Sequence, residues 1–121
     1  MTIQEIADMI NAGNVHQIRA GEKHRFIDIT IVEAAGRFFV RQYKFGKRSW
    51  YHAFLENPKG EMKCGDSIIP IEGRVPKDLE QINPVVTEAY IKKLGMIYRT
   101  MRLGFSTRKH EDSTLELIPK L

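Results

Sequence analysis

Residues 38–58 read FFVRQYKFGKRSWYHAFLENP, and the reading of this stretch decides the fold. It opens as a strand, with Phe38, Val40 and Gln42 on one face and Phe39, Arg41 and Tyr43 on the other. Lys44, Gly46, Lys47, Arg48 and Ser49 then make a short basic loop with a glycine and a hydroxyl. Trp50 to Leu55 follows as a short helix and stops at Asn57-Pro58, because Pro58 pushes Asn57 out of the helical region. Cations, a hydroxyl and free backbone N–H groups at a helix start are what a phosphate requires. The alternative for the same residues is a solvated basic loop between two core elements.

The rest of the chain bounds what that stretch can serve. At 121 residues, 42% of them apolar and 28% charged, residues 1–121 read as one globular domain with one core. No apolar run approaches the roughly 18 residues of a membrane span, and MTIQEIADMI lacks the basic start of a signal peptide. A cytoplasmic protein is therefore expected. Cys64 is the single cysteine, which excludes an internal disulfide and a cysteine-based zinc site. The net charge of +4 is unevenly placed. Lys92, Lys93, Arg99, Arg102, Arg108 and Lys109 lie between Tyr90 and His110 with no acid among them. Two basic segments point to an anionic partner: a phosphorylated cofactor, an acidic substrate or a nucleic acid. The alternative is a solvated helix face, which is the usual meaning of such a charge run.

Outward from the central stretch, the chain alternates short elements. Thr2 and Glu5 have capping-box spacing, and Ile3, Ile6, Ala7 and Ile10 form one stripe that ends near Gly13. Residues 15–20 and 25–32 read as strands, the second with Ile27, Ile29 and Ile31 inward. The Ala34-Ala35-Gly36 turn pairs this second strand with the central one as a hairpin. Residues 61–64 and 67–74 form another hairpin, in which Pro70 suggests an edge or a bulge. Asn83-Pro84 has the form of a helix start, and Val86, Tyr90, Leu94, Ile97 and Met101 follow at helical spacing with a break at Gly95. A loop over 104–112 leads into a last strand, 114–118. Antiparallel strands with helices at the ends of the sheet define an α+β, mainly β domain or small barrel.

Catalytic constellations are absent from the pattern. His16, His24, His52 and His110 are scattered without metal-ligand spacing, so no metal is expected. No nucleophile elbow occurs, which leaves a Ser-His-Asp or Cys-His site open only as an arrangement in three dimensions. His52 reads as a hydrogen-bonded structural histidine, and Trp50 and Tyr51 as core anchors of which one could wall a flat ring.

Phe39-Val40-Arg41, then Trp50-Tyr51-His52, Leu55, Asn57 and Pro58, resemble the signature of the flavin-binding split-barrel proteins of the pyridoxamine phosphate oxidase-like superfamily. The likeness is greatest to the bacterial family called domain of unknown function 2255. It extends to the deazaflavin-dependent nitroreductases and quinone reductases, and covers most of the chain. In those reductases a phosphate loop precedes the second strand. Here that region reads Gly21-Glu22-Lys23-His24-Arg25, which keeps cations but lacks the hydroxyl and the second glycine. The resemblance implies a six-stranded split barrel with three helices and a homodimer, binding flavin mononucleotide (FMN) or a deazaflavin for hydride transfer on a small molecule. Carried over by position, Arg41, Lys47, Arg48 and Ser49 hold the phosphate, with Tyr43 and Trp50 bordering the ring. The alternative is a binding module of the same fold that takes an acidic metabolite or other anion without a redox cofactor. No nucleic-acid motif accompanies the basic segments.

Overall fold

A computed structural model of the chain describes residues 1–42, 49–101 and 107–121. In order, these form α1 (Ile3–Asn11), β1 (His16–Ala20), β2 (Ile27–Ile29), β3 (Val32–Ala34), β4 (Arg37–Val40) and α2 (Trp50–Glu56). Then come β5 (Lys59–Cys64), β6 (Ser67–Arg74), α3 (Leu79–Leu94), α4 (Met96–Met101), α5 (Thr107–Asp112) and β7 (Leu115–Pro119). The strands make one antiparallel sheet in the order β2-β1-β5-β6-β7-β4-β3. Its two edges, β2 and β3, are separated in sequence by Thr30 and Ile31 alone, so they must meet at one corner and the sheet curls into a half-barrel.

That corner corrects the expected strand count from six to seven among the described residues. The isoleucine alternation over 25–32 does form an extended segment. Its centre leaves the ladder because α3 takes the carbonyls: the Tyr90 hydroxyl donates to Thr30 O (2.9 Å) and the Lys93 ammonium to Ile31 O (2.6 Å). Ile27, Ile29 and Ile31 all face the barrel core, as their spacing predicts. β3 and β4 pair as the expected hairpin, Val32 opposite Phe39 and Ala34 opposite Arg37.

Helices number five where three were expected. Gly95 (φ 62°) divides α3 from α4, as read from the sequence. However, α3 starts at Leu79 rather than at Asn83-Pro84. Arg37 grips Asp78 through two hydrogen bonds (2.9 and 3.0 Å), which fixes the helix start a turn earlier and leaves Pro84 inside. Residues 107–112 form α5 instead of a loop, and His110 on it is wholly buried. β6 lies between β5 and β7, so Pro70 is in an interior strand. Pro70 O accepts from Lys120 N (2.8 Å), so the missing N–H faces the frayed end of β7 and forfeits only a terminal bond.

Two apolar clusters sit on opposite faces of the curled sheet. Inside, Ile6, Ala7 and Ile10 of α1 join Ile18, Phe38, Val40, Met62, Ile71 and Leu117. Phe54 of α2 enters this cluster against two glycines: a Cβ at Gly73 would stand 2.6 Å from Phe54 Cδ1, and one at Gly60 2.6 Å from Phe54 Cε1. On the outer face, Phe39 and Val32 pack with Ile82, Val86 and Tyr90 of α3 and Tyr98 of α4. Cys64 is buried in the inner core, and burial pushes its thiol above the ordinary range.

Candidate functional site

α2 begins where Ser49 caps it: Ser49 Oγ accepts from the His52 backbone N–H (3.3 Å) and lies 2.7 Å from His52 Nδ1. Phe54 inserted in the core fixes the helix, and Trp50, Tyr51 and Ala53 pack against the same cluster. Across from α2, β1 ends in the turn at Gly21 (φ 64°), which returns the chain past His24 and Arg25 into β2. Between them lies a cleft of about 490 Å³. Its apolar walls are Ile18, Ala20, Ile27, Trp50 and Ala53, and its polar groups are Arg19, His24, Arg25, Ser49, His52 and Glu56. A second cavity of about 470 Å³ continues from it, shares Ala20, His24, Ala53 and Glu56, and adds Glu22, Lys23 and Lys59 among its charged groups. Volumes of this order suit a cofactor-sized ligand, and the mixture of apolar wall and a few polar groups is what such ligands need.

The cations in the cleft differ in what they have free. Arg19 is committed to Glu61 (Nε–Oε1 2.8 Å) and lies over the Phe26 ring (4.3 Å). Arg25 and His24 are exposed, and among the described residues neither side chain has a hydrogen-bond or ion-pair partner. His52 is exposed as well; its Nδ1 is engaged with Ser49. It is hydrogen-bonded, as its sequence setting suggests, and it also faces the cleft.

Arg41 lies elsewhere. It points away from the barrel interior, as strand alternation predicts, but into the layer under α3 and α4, where it is fully buried. Nε donates to Thr114 Oγ1 (2.9 Å), Nη1 to Thr87 Oγ1 (2.8 Å) and Tyr98 Oη (3.0 Å), and Nη2 to Asn83 O (2.9 Å) and Oδ1 (3.1 Å). All five guanidinium N–H groups are thereby satisfied. Asn83, the expected helix cap, serves this arginine instead. The network continues through Tyr98 Oη to His110 Nε2 (2.8 Å), and His110 Nδ1 donates to Gln42 O (2.8 Å). It therefore ties down Gln42, just past the end of β4.

Of the six residues singled out from sequence, Ser49 and Trp50 stand together in the cleft, and Arg41 lines no part of it. Tyr43, Lys47 and Arg48 lie outside the described residues. Sequence reasoning missed His24, Arg25 and Arg19 as neighbours of Ser49. The signal available was the run of cations in residues 21–25, at the place where the reductases carry their phosphate loop. No group of three or more His, Cys, Asp or Glu among the described residues is placed to hold a metal ion. No helix among them is long and apolar enough to cross a membrane.

No protein-family description matches the chain, and no curated protein matches it. Solved structures do. A candidate pyridoxamine 5'-phosphate oxidase from Listeria innocua superposes with a TM-score of 0.61 at 12% identity, over 98% of this chain and 94% of that one. A conserved hypothetical protein from Mycobacterium tuberculosis gives 0.59 at 12% identity, over 100% and 80% of the two chains. A NimC/NimA family protein from Clostridium acetobutylicum gives 0.55 at 13% identity, over 97% and 80%. The chain thus shares its split-barrel fold with these proteins, as the resemblance of the central stretch implied.

Proposed function

We propose that this chain is a cofactor-binding split-barrel protein of the domain of unknown function 2255 type. It takes FMN or a deazaflavin in the cleft between the β1–β2 loop and α2. The observation that carries this reading is the convergence of Ser49 and Trp50 with Arg25 and His24 on one cavity of cofactor size. The fit has a physical basis in the wall chemistry. Trp50, Ile18 and Ile27 offer an apolar surface for a flat ring, while Arg25, the two imidazoles and the Ser49 hydroxyl offer donors for a phosphate. Lys47 and Arg48, next to Ser49 in sequence, join the phosphate side, and Tyr43 the ring side. Arg41, with every guanidinium N–H engaged, holds the end of β4.

A bound flavin or deazaflavin would supply hydride-transfer chemistry toward a small molecule. The protein's part is to grip the phosphate, orient the ring and keep water off one of its faces. No protein nucleophile is needed for that division of labour. A homodimer and a cytoplasmic setting belong to this reading too. The second reading is a cofactor-free module for an acidic metabolite, favoured by the continuation of the cleft toward Lys23 and Lys59. A visible absorption spectrum of the freshly purified protein, followed by titration with FMN and a deazaflavin, separates the two. A bound chromophore or saturable micromolar binding supports the cofactor; a colourless protein that binds neither leaves the anion module.

A further inference from the structure

Part of the fixed charge around the cleft is compensated: Arg19 is neutralised by Glu61, with which it is hydrogen-bonded, while Arg25 and Glu56 line the same cavity with opposite charges. Beside these fixed charges stand two imidazoles, His24 on the β1–β2 loop and His52 on α2. One of them is wired to a hydroxyl: Ser49 Oγ, 2.7 Å from His52 Nδ1, already accepts the His52 backbone N–H. While His52 is neutral with Nδ1 bare, the Ser49 proton is spent on that nitrogen. Once His52 gains a proton there, Nδ1–H becomes the donor, and the Ser49 O–H is released to point at a ligand. A single protonation thus adds a positive charge and a free hydroxyl donor at the same spot. The groups facing His52 are Glu56 one turn along α2, the Tyr51 ring beside it (5.7 Å), and Arg19, His24 and Arg25 across the cavity.

We propose that Ser49, His52, His24 and Arg25 form a proton-linked site for the phosphate monoester end of the ligand. This rests on the cofactor reading of the same cleft and adds its regulation. Binding of the dianion draws a proton onto His52, so the complex holds more protons than the free protein, and affinity must rise as pH falls. Selectivity follows from the same geometry. A ligand without the phosphate leaves the imidazoles no reason to charge, and its affinity is indifferent to pH.

The test is binding of FMN, riboflavin and inorganic sulfate to the full chain at pH 6 and pH 8, in the wild type and in His52→Asn. Asn keeps an amide near Ser49 but cannot take up a proton. FMN affinity is expected to tighten about 10-fold from pH 8 to pH 6 in the wild type and to lose most of that slope in His52→Asn, where only His24 remains to take up a proton. The ligand's own phosphate titration is common to both proteins and drops out of that contrast. Riboflavin should show no such slope. An equal slope in the two proteins, or a riboflavin slope matching that of FMN, overturns the proposal. Sulfate, a dianion throughout this range, separates the two readings. If neither flavin binds yet sulfate shows the slope and loses it in His52→Asn, the anion site stands and the flavin reading falls. If sulfate fails as well, both fall.

Discussion

Arg41 and Arg25 are the same side chain put to opposite uses. Arg41 sits under α3 and α4 with five N–H groups distributed over Thr87, Tyr98, Asn83 and Thr114. Arg25 stands at the rim of the cleft with its guanidinium uncommitted among the described residues. A buried cation whose valences are all met inside the chain is a part of the fold. A cation left with free donors beside an apolar wall is available to a ligand. The difference divides the molecule into an outer-face network that holds the end of β4 and an open cleft at α2 that can do chemistry.

The sharpest break between the two regions is in stability. Arg41→Ala leaves a cavity and removes five hydrogen bonds from a buried or partly buried network, so chemical denaturation should show a loss of about 3–5 kcal/mol. Arg25→Ala, on the exposed rim, should stay within ~0.5 kcal/mol. A loss under ~1 kcal/mol for Arg41→Ala would contradict the structural role given to it.

The next effect tests the seat of α2 in the inner core, where Phe54 fills the space left by two glycines. Gly73→Ala drives a methyl into the Phe54 ring and should cost roughly 1–3 kcal/mol, because the ring is fully buried and already lies against Gly60. An unchanged melting temperature would show that α2 is loosely seated. Trp50→Ala is expected to cost less, about 1–2 kcal/mol, since the indole is only half-buried. Its larger consequence should be weakened binding of the ring, measured by flavin titration; full affinity in that variant would remove Trp50 from the site.

The smallest effect is a pH dependence on the outer face. The Arg37 guanidinium, hydrogen-bonded to Asp78, holds that carboxyl below the ordinary carboxylate range. A depressed folded-state value means the stabilisation is present above the ordinary carboxylate range and is lost as pH falls through the folded one. Melting temperature should therefore decline on acidification more steeply in the wild type than in Asp78→Asn. Parallel acid limbs would show that the Arg37–Asp78 contact contributes nothing.

Much of the fold was legible because it is written in local patterns. The Thr2/Glu5 capping box, the isoleucine alternation, the turn at Ala35-Gly36, the stop at Pro58 and the break at Gly95 each act within a few residues. What escaped was set by contacts distant in sequence. Tyr90 and Lys93 divide a strand sixty residues before them by taking its carbonyls. Asp78 starts α3 because of Arg37, and polar α5, without apolar periodicity, is held by the burial of His110. The site followed the same rule. Ser49 and Trp50 were readable from the central stretch, but their juxtaposition with His24 and Arg25 follows from how β1 and α2 pack. Arg41 in alternation on a strand looks solvent-facing, and only the helices laid over that face show it to be enclosed.

The central claim is that the open cleft, and not the buried network, receives the ligand. The most direct measurement is FMN affinity, by visible absorption titration, of Arg25→Glu beside the wild type. The account predicts saturable micromolar binding in the wild type and at least about 10-fold weaker binding in Arg25→Glu, with the same melting temperature. Equal affinity in the two proteins would contradict it.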